Sequence, residues 1–324
     1  MSLFSPAVRQ ALLFSLFLVS TGLAWSQAWP TKPVRLVLSQ AAATSPDIVA
    51  RVLGDRLSRL WGYSIVVENK PGGQNVIGAQ RAATSSPDGY SFYYATTAAL
   101  VINAYTFKSL PYDPRQDFVQ VGMIGLSPFV IAINPDVPAK TLKELIAHAR
   151  ANPGKISVAT EGSKTFSGMM ADMFAKTAGL NMVTVPYSGV APAIQDTLAG
   201  RTQLTVLSSA ALTPYLKRLR PVAVSSAKRV QGLEDVPTLG EQFPGFQYVG
   251  WHAIVAPRNT PTPIIQRFNK DLDAVLKDPE VARRLFELGL IVEGAGTPAQ
   301  LGEFLNAEHT RWASLARDVG VVPD

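Results

Sequence analysis

Residues 34–60, VRLVLSQAAATSPDIVARVLGDRLSRL, hold the pattern around which the rest of the chain is organised. Val34–Leu38 is a short apolar and β-branched run that predicts a strand, 39–44 is small and polar, and Ser45-Pro46-Asp47 opens a segment of helical period. Ser45 or Thr44 suits the helix cap, Pro46 the first helical position, and Asp47 the positive end of the helix dipole. Ile48, Val49, Val52, Leu53, Leu57 and Leu60 recur at helical spacing and are expected to pack on a sheet. The loop Ser39, Gln40, Ala41, Ala42, Ala43, Thr44 carries little bulk beside the N–H groups of a helix N-terminus. That arrangement suits a carboxylate, and it also serves as an ordinary strand-to-helix turn.

Outward from this stretch, residues 64–67 and 90–95 predict two more strands, separated by a glycine-containing turn and a helix over 75–84. Thr96 and Thr97 follow the third strand, at the carboxyl end where open α/β sheets place ligands. A long apolar run over 118–133, broken at Gly122, Gly125 and Pro128, suits a crossing between two domains, and 248–256 suits the return. Between them the opening device recurs without its sequence: strand over 156–159, small loop over 160–165, helix over 166–178. Strands over 181–185, 203–207 and 221–224, helices over 137–151 and 191–198, and three C-terminal helices near 261–276, 279–288 and 298–319 complete the alternation. It predicts an α/β fold with parallel sheets. Residues 29–126 with 251–324 form an expected discontinuous first lobe and 127–250 an inserted second lobe. This is the plan of a bilobed binding protein that closes by hinge motion, with a cleft lined by donors from both loops.

The 324 residues suffice for a sizeable core, and 17% charged with 47% hydrophobic residues fits a globular chain. Residues 1–28 carry one cation, Arg9, then an apolar run and a Ser26-Gln27-Ala28 ending, the pattern of a secretory signal cut before Trp29. The run is short for a membrane span. Cysteine is absent, which excludes a disulfide framework and a lipid-modified cysteine at the mature N-terminus, so a soluble periplasmic monomer is expected. Removing Arg9 takes the net charge from +6 to +5, and the cations lie scattered among acids, a solvated surface and not a nucleic-acid patch.

Several short stretches, in order and from end to end, carry a resemblance: Trp29-Pro30, Lys32-Pro33-Val34-Arg35, Val66-Val67-Glu68-Asn69-Lys70-Pro71-Gly72-Gly73, Ser86-Pro87-Asp88-Gly89-Tyr90, Val185-Pro186-Tyr187-Ser188-Gly189, Ala191-Pro192-Ala193 and Val236-Pro237-Thr238. The mature chain resembles the periplasmic receptors of tripartite tricarboxylate transporters, the Bug receptors. The resemblance implies a type II periplasmic binding fold that holds a small carboxylate between two lobes and delivers it to a two-component integral membrane permease. It also implies that one carboxylate is held by the loop after the first strand and by its counterpart Glu161, Gly162, Ser163, Lys164, Thr165. Thr96, Thr97, Tyr187, Ser188, Gly189, Ser208 and Ser209 would then line the cleft. One departure stands out. Relatives carry a Pro- and Gly-rich first loop where this chain has Leu38-Ser39-Gln40-Ala41-Ala42-Ala43, and loss of glycine removes backbone conformations of positive φ that an amide cradle uses. Glu161 and Lys164 add charges where relatives are small. Lys164 suits a carboxylate and Glu161 repels one, while a surface ion pair is the plainer reading of both.

An enzyme needs a catalytic constellation. The sequence has no nucleophile elbow, no phosphate loop and no paired-histidine helix, and no cofactor or metal is expected. His148, His252 and His309 stand far apart. His252, beside Trp251 in the return strand, is a cleft candidate set against a satisfied core histidine. Tyr187 and Trp251 are candidates to stack on an aromatic ligand, or to pack. The Gly294-Ala295-Gly296 stretch faintly mimics a dinucleotide fingerprint but reads as a turn and helix cap. The expected function is a non-catalytic receptor for a small organic anion. A receptor acting on a membrane sensor and, less favoured, an exported hydrolase are the alternatives.

Overall fold

In a computed structural model of the chain, residues 29–246 and 248–323 are described, so the expected signal sequence lies outside them. The strands are β1 (Val34–Leu38), β2 (Ile65–Asn69), β3 (Ser91–Thr96), β4 (Phe118–Ser127), β5 (Phe129–Ile133), β6 (Ser157–Thr160), β7 (Val183–Pro186), β8 (Leu204–Ser208), β9 (Arg220–Val224) and β10 (Gly250–Pro257). They form two five-stranded sheets, ordered β2-β1-β3-β10-β4 and β7-β6-β8-β5-β9. The helices are α1 (Ser45–Trp61), α2 (Val76–Ala83), α3 (Asn103–Thr106), α4 (Leu142–Ala151), α5 (Phe166–Ala178), α6 (Val190–Leu198), α7 (Ser209–Leu212), α8 (Leu239–Gln242), α9 (Thr262–Leu276), α10 (Pro279–Glu287) and α11 (Pro298–Val319). Among the described residues no helix is long and apolar enough to cross a membrane.

The chain leaves the first sheet through β4 and enters the second through β5, with only Pro128 between them, and β10 brings it back. All of β10 is buried, as an interior strand of a covered sheet should be. The sheets are mixed and not parallel throughout as the alternation predicted. β1 pairs parallel with β2 and β3, but β10 runs antiparallel to β3 and β4. The second sheet repeats this: β6 is parallel to β7 and β8, and β5 is antiparallel to β8 and β9. The reason is topological. A strand arriving from the other lobe needs no crossover helix and can enter in either sense.

Helix α1 buries Val49, Leu53 and Leu57 against the first sheet, while Leu60 is 52% exposed. Trp61 seals that end instead, donating from its indole to Asp271 Oδ2 at 2.8 Å, before Gly62 stops the helix in a left-handed conformation. One apolar cluster, with Val37, Tyr93 and Trp251 from the first sheet and Ile131, Val158 and Val206 from the second, continues from lobe to lobe. Trp312 of α11 stands 5.7 Å from the Phe166 ring at the start of α5. Its neighbour Glu308 accepts from the indoles of Trp251 (3.0 Å) and Trp312 (3.3 Å) and pairs with Arg311. The returning strand and the last helix therefore share one buried carboxylate. Residues 98–106, unassigned in the sequence reading, form a π-helical turn (Ala98–Ile102) running into α3.

Candidate functional site

The two strand-loop-helix units lie one in each sheet, and the turn that follows β2 links them. The backbone N–H of Lys164, in the loop before α5, donates to Gln74 Oε1 at 3.0 Å. Gln74 belongs to the short turn Gly73–Asn75 after β2, where it takes φ 52° and Asn75 φ 78°. A second bridge joins the far side, where Ser209 Oγ donates to Gly289 O at 3.3 Å.

Within the first loop, polarity is used largely to build the loop itself. Ser39, 3% exposed, donates to Asn75 O and shares a 2.6 Å hydrogen bond with the Tyr93 hydroxyl. Asp47 is buried. Its carboxylate accepts from Ala43 N (2.9 Å), Arg51 Nε (3.0 Å) and Asn69 Nδ2 (2.9 Å). Burial alone would push that carboxyl up, but the hydrogen bonds from Arg51, Asn69 and Ala43 outweigh it and hold the group below its ordinary value. Ala43 has φ 65°, so this loop keeps a positive φ without a glycine, with the Ala43 N–H held by Asp47. Of the two capping candidates Thr44 takes the N-cap position, without a side-chain cap hydrogen bond. Its hydroxyl donates to Ala41 O, and Ser45 donates to Leu288 O. Ala41 and Ala42 are exposed, and Gln40 donates from Nε2 to Asn75 Oδ1 at 2.8 Å.

The second loop is built differently. Thr165 caps α5 by accepting from Gly168 N and donates to Gly162 O, Gly162 has φ 143°, and Glu161 N donates to Ser167 Oγ at 2.9 Å. Ser163 is exposed. The half-buried Glu161 carboxyl has no hydrogen-bond or ion-pair partner among the described residues, and burial pushes it up to about 7. The surface ion-pair reading of Glu161 therefore does not hold. Lys164 places its ammonium 4.2 Å above the Phe107 ring, and burial, with the neighbouring Lys108, lowers its proton affinity.

Other expected site residues are framework. Thr97, 2% exposed, accepts from Trp251 N at 2.9 Å, tying β3's end to the return strand. His252 is a core histidine: it is buried, its Nδ1 lies 2.6 Å from the Tyr94 hydroxyl, and burial lowers its proton affinity to about 4. Trp251 is fully buried, its indole N–H spent on Glu308. Tyr187 gives its hydroxyl to Asp196 at 2.7 Å, and Ser208 caps α7 by accepting from Ala211 N. Ser188 is exposed and Gly189 forms the N-cap of α6. The sequence reading passed over Gln74, Asn75 and Asn103. The Pro71-Gly72-Gly73 turn was the available signal for the first two, since chain reversal there aims the next side chains toward the opposite lobe.

Four polar atoms are buried without a hydrogen-bond partner among the described residues: Gln40 Oε1, Thr96 Oγ1, Asn103 Oδ1 and Thr160 Oγ1. Thr96 and Thr160 end strands β3 and β6, Gln40 lies two residues beyond β1, and Asn103 follows β3 by one helical segment. Natural proteins seldom leave such atoms unpaired.

Two mixed α/β lobes joined by crossing strands, with paired strand-loop-helix units across the seam, define a type II solute-binding protein. Residues 49–321 match the tripartite tricarboxylate transporter family receptor, and the chain belongs to that family. It is 31% identical over 276 residues to a UPF0065 protein of Bordetella bronchiseptica, covering 85% of this chain and 82% of that protein. Among solved structures, R. palustris Rpa4515 with adipate superposes with a TM-score of 0.86 at 31% identity, over 91% of this chain and all of that one. The periplasmic binding protein BugD superposes with 0.82 at 32% identity, again over 91% of this chain and all of that one.

Proposed function

We propose that the protein is a non-catalytic periplasmic receptor that captures a small organic anion between its lobes and delivers it to a two-component membrane permease. The carrying observation is that the turn Gly73–Asn75, tied to loop 39–44 by the Ser39–Asn75 and Gln40–Asn75 hydrogen bonds, meets loop 161–165 of the other lobe across the Lys164–Gln74 hydrogen bond. Backbone donors at the start of α1 and α5 suit one carboxylate, and lobe closure would exclude water from it. Family membership and the adipate-bound R. palustris structure support the ligand class. The signal-like residues 1–28 and the absence of cysteine support export without a lipid anchor. We place the lobes at 29–126 with 251–324 and at 127–250.

The test is a thermal-shift screen of residues 29–324 against aliphatic and aromatic carboxylates. A stabilisation that grows with ligand concentration is expected, and about 2.7 kcal/mol accrues at a hundredfold excess over Kd. Replacing Ala42 by a bulky residue should weaken the hit while leaving the ligand-free melting temperature nearly unchanged. Silence across all the acids would overturn the reading.

A further inference from the structure

Lys164, in the second lobe, is gripped by the first lobe at two points. Its backbone N–H donates to Gln74 Oε1 at 3.0 Å, and its ammonium stands 4.2 Å above the Phe107 ring. One segment of the first lobe serves both contacts: Phe107 directly follows α3 and donates from its backbone to Asn103 O, and Asn103 Nδ2 donates to Gln74 O at 3.0 Å. The turn that carries Gln74 has an uncommon backbone. Gly73, Gln74 and Asn75 take φ 55°, 52° and 78° in succession, two of them without the freedom of glycine. The first loop holds them there, Ser39 donating to Asn75 O and Gln40 to Asn75 Oδ1. Backbone fixed at such angles by its surroundings points to a task for the side chain it aims.

That task follows from the donor Gln74 meets. In loop 161–165, Glu161 N donates to Ser167 Oγ and Thr165 N to Gly162 O, both inside the second lobe. Of these three loop N–H groups only that of Lys164 is spent on the other lobe. Its partner is an amide oxygen, which offers an N–H the same kind of lone pair as a carboxylate oxygen. Resting on the carboxylate-receptor reading, we infer that Gln74 is an internal stand-in for the ligand carboxylate: it latches the lobes through the Lys164 N–H, and the ligand displaces it to bind. The Lys164–Phe107 contact and, on the far side, the Ser209–Gly289 hydrogen bond keep the lobes together while the exchange takes place. A charged acceptor makes the stronger hydrogen bond to the same N–H, so the exchange runs toward the ligand.

Small-angle scattering on ligand-free residues 29–324 reads the latch without any ligand. Gln74→Ala should increase the radius of gyration, and Gln74→Glu, which keeps an acceptor, should not. Gln74→Gly, which a positive φ favours, carries the same expectation as Gln74→Ala and replaces it if alanine prevents folding. An unchanged radius in the folded alanine or glycine variant overturns the latch and leaves the carboxylate reading standing. Titration calorimetry with succinate, adipate and benzoate as probes reads the displacement. The alanine variant should bind the responding acid roughly two- to tenfold tighter, the worth of one net hydrogen bond, and Gln74→Glu should bind it more weakly than the parent. Equal or weaker binding by Gln74→Ala overturns the stand-in role. Silence of all three acids in every variant overturns that role together with the carboxylate reading.

Discussion

Glu161→Gln should make the ligand-free protein more stable, and only at neutral and alkaline pH. A carboxyl whose ordinary value of 4.5 is pushed up to about 7 binds its proton more tightly in the folded chain than in the unfolded one. Folded stability therefore falls as pH rises from about 4.5 and levels off above about 7. The full displacement corresponds to about 3 kcal/mol, and screening at the solvent-facing edge of this half-buried group lowers the expectation to about 1–3 kcal/mol. Glutamine keeps the shape without the charge. Urea denaturation of both proteins at pH 5 and pH 8 should show little difference at the first and a higher midpoint for the variant at the second. A variant equally or less stable at pH 8, or a difference that does not change with pH, would refute the assignment of an unpaired buried carboxylate.

The buried histidines should act in the opposite sense. His252 and His309 are both lowered to about 4 by burial, so each withdraws up to about 3 kcal/mol as pH falls from 6.5 toward 4, and urea midpoints for His252→Gln should show a shallower acid limb. Ala43→Gly should raise stability by about 0.5–1 kcal/mol, since φ 65° costs alanine more than glycine; a lower urea midpoint would remove the strain from Ala43. Glu308→Ala leaves two buried indole N–H groups without their acceptor and should cost about 2–4 kcal/mol, with Glu308→Gln recovering part of it in the same assay. Gly289 takes φ 76°, and a β-carbon there would come within 2.6 Å of Ala210 Cβ across the seam, so Gly289→Ala should increase the radius of gyration of the ligand-free protein in small-angle scattering.

The order of elements was legible because local signals agreed with one another. Val34–Leu38 and Phe166–Ala178 fall where period and turn residues placed them, and Thr141 caps α4 by accepting from Glu144 N. What periodicity does not encode is strand direction. β5 and β10 look like any buried apolar run, and their antiparallel sense follows from which lobe the chain arrives from. Residues 98–106 escaped for a related reason: Ala98–Ile102 is buried on every side, so it shows no polar face from which a helical period can be read.

The two loops were legible in the sequence as elements, and the partners of their side chains were not. Loops 39–44 and 161–165 were found from small polar residues between strand and helix, and any of their hydroxyls or carboxylates was an equal candidate. Partner geometry separates them. Ser39 is taken by Tyr93, Asp47 by Ala43 and Asn69, Thr97 by Trp251 and His252 by Tyr94, and all of these partners lie on other strands or across a turn. A polar residue so satisfied contributes to holding the loop, and its removal should show first in stability. Gln40, Thr96, Asn103 and Thr160 each keep a buried atom that the described protein does not satisfy. Where such atoms border a site, their cost is most readily explained by what the site binds: the Thr96 and Thr160 hydroxyls can donate to a carboxylate or accept, whereas the Asn103 carbonyl oxygen can only accept.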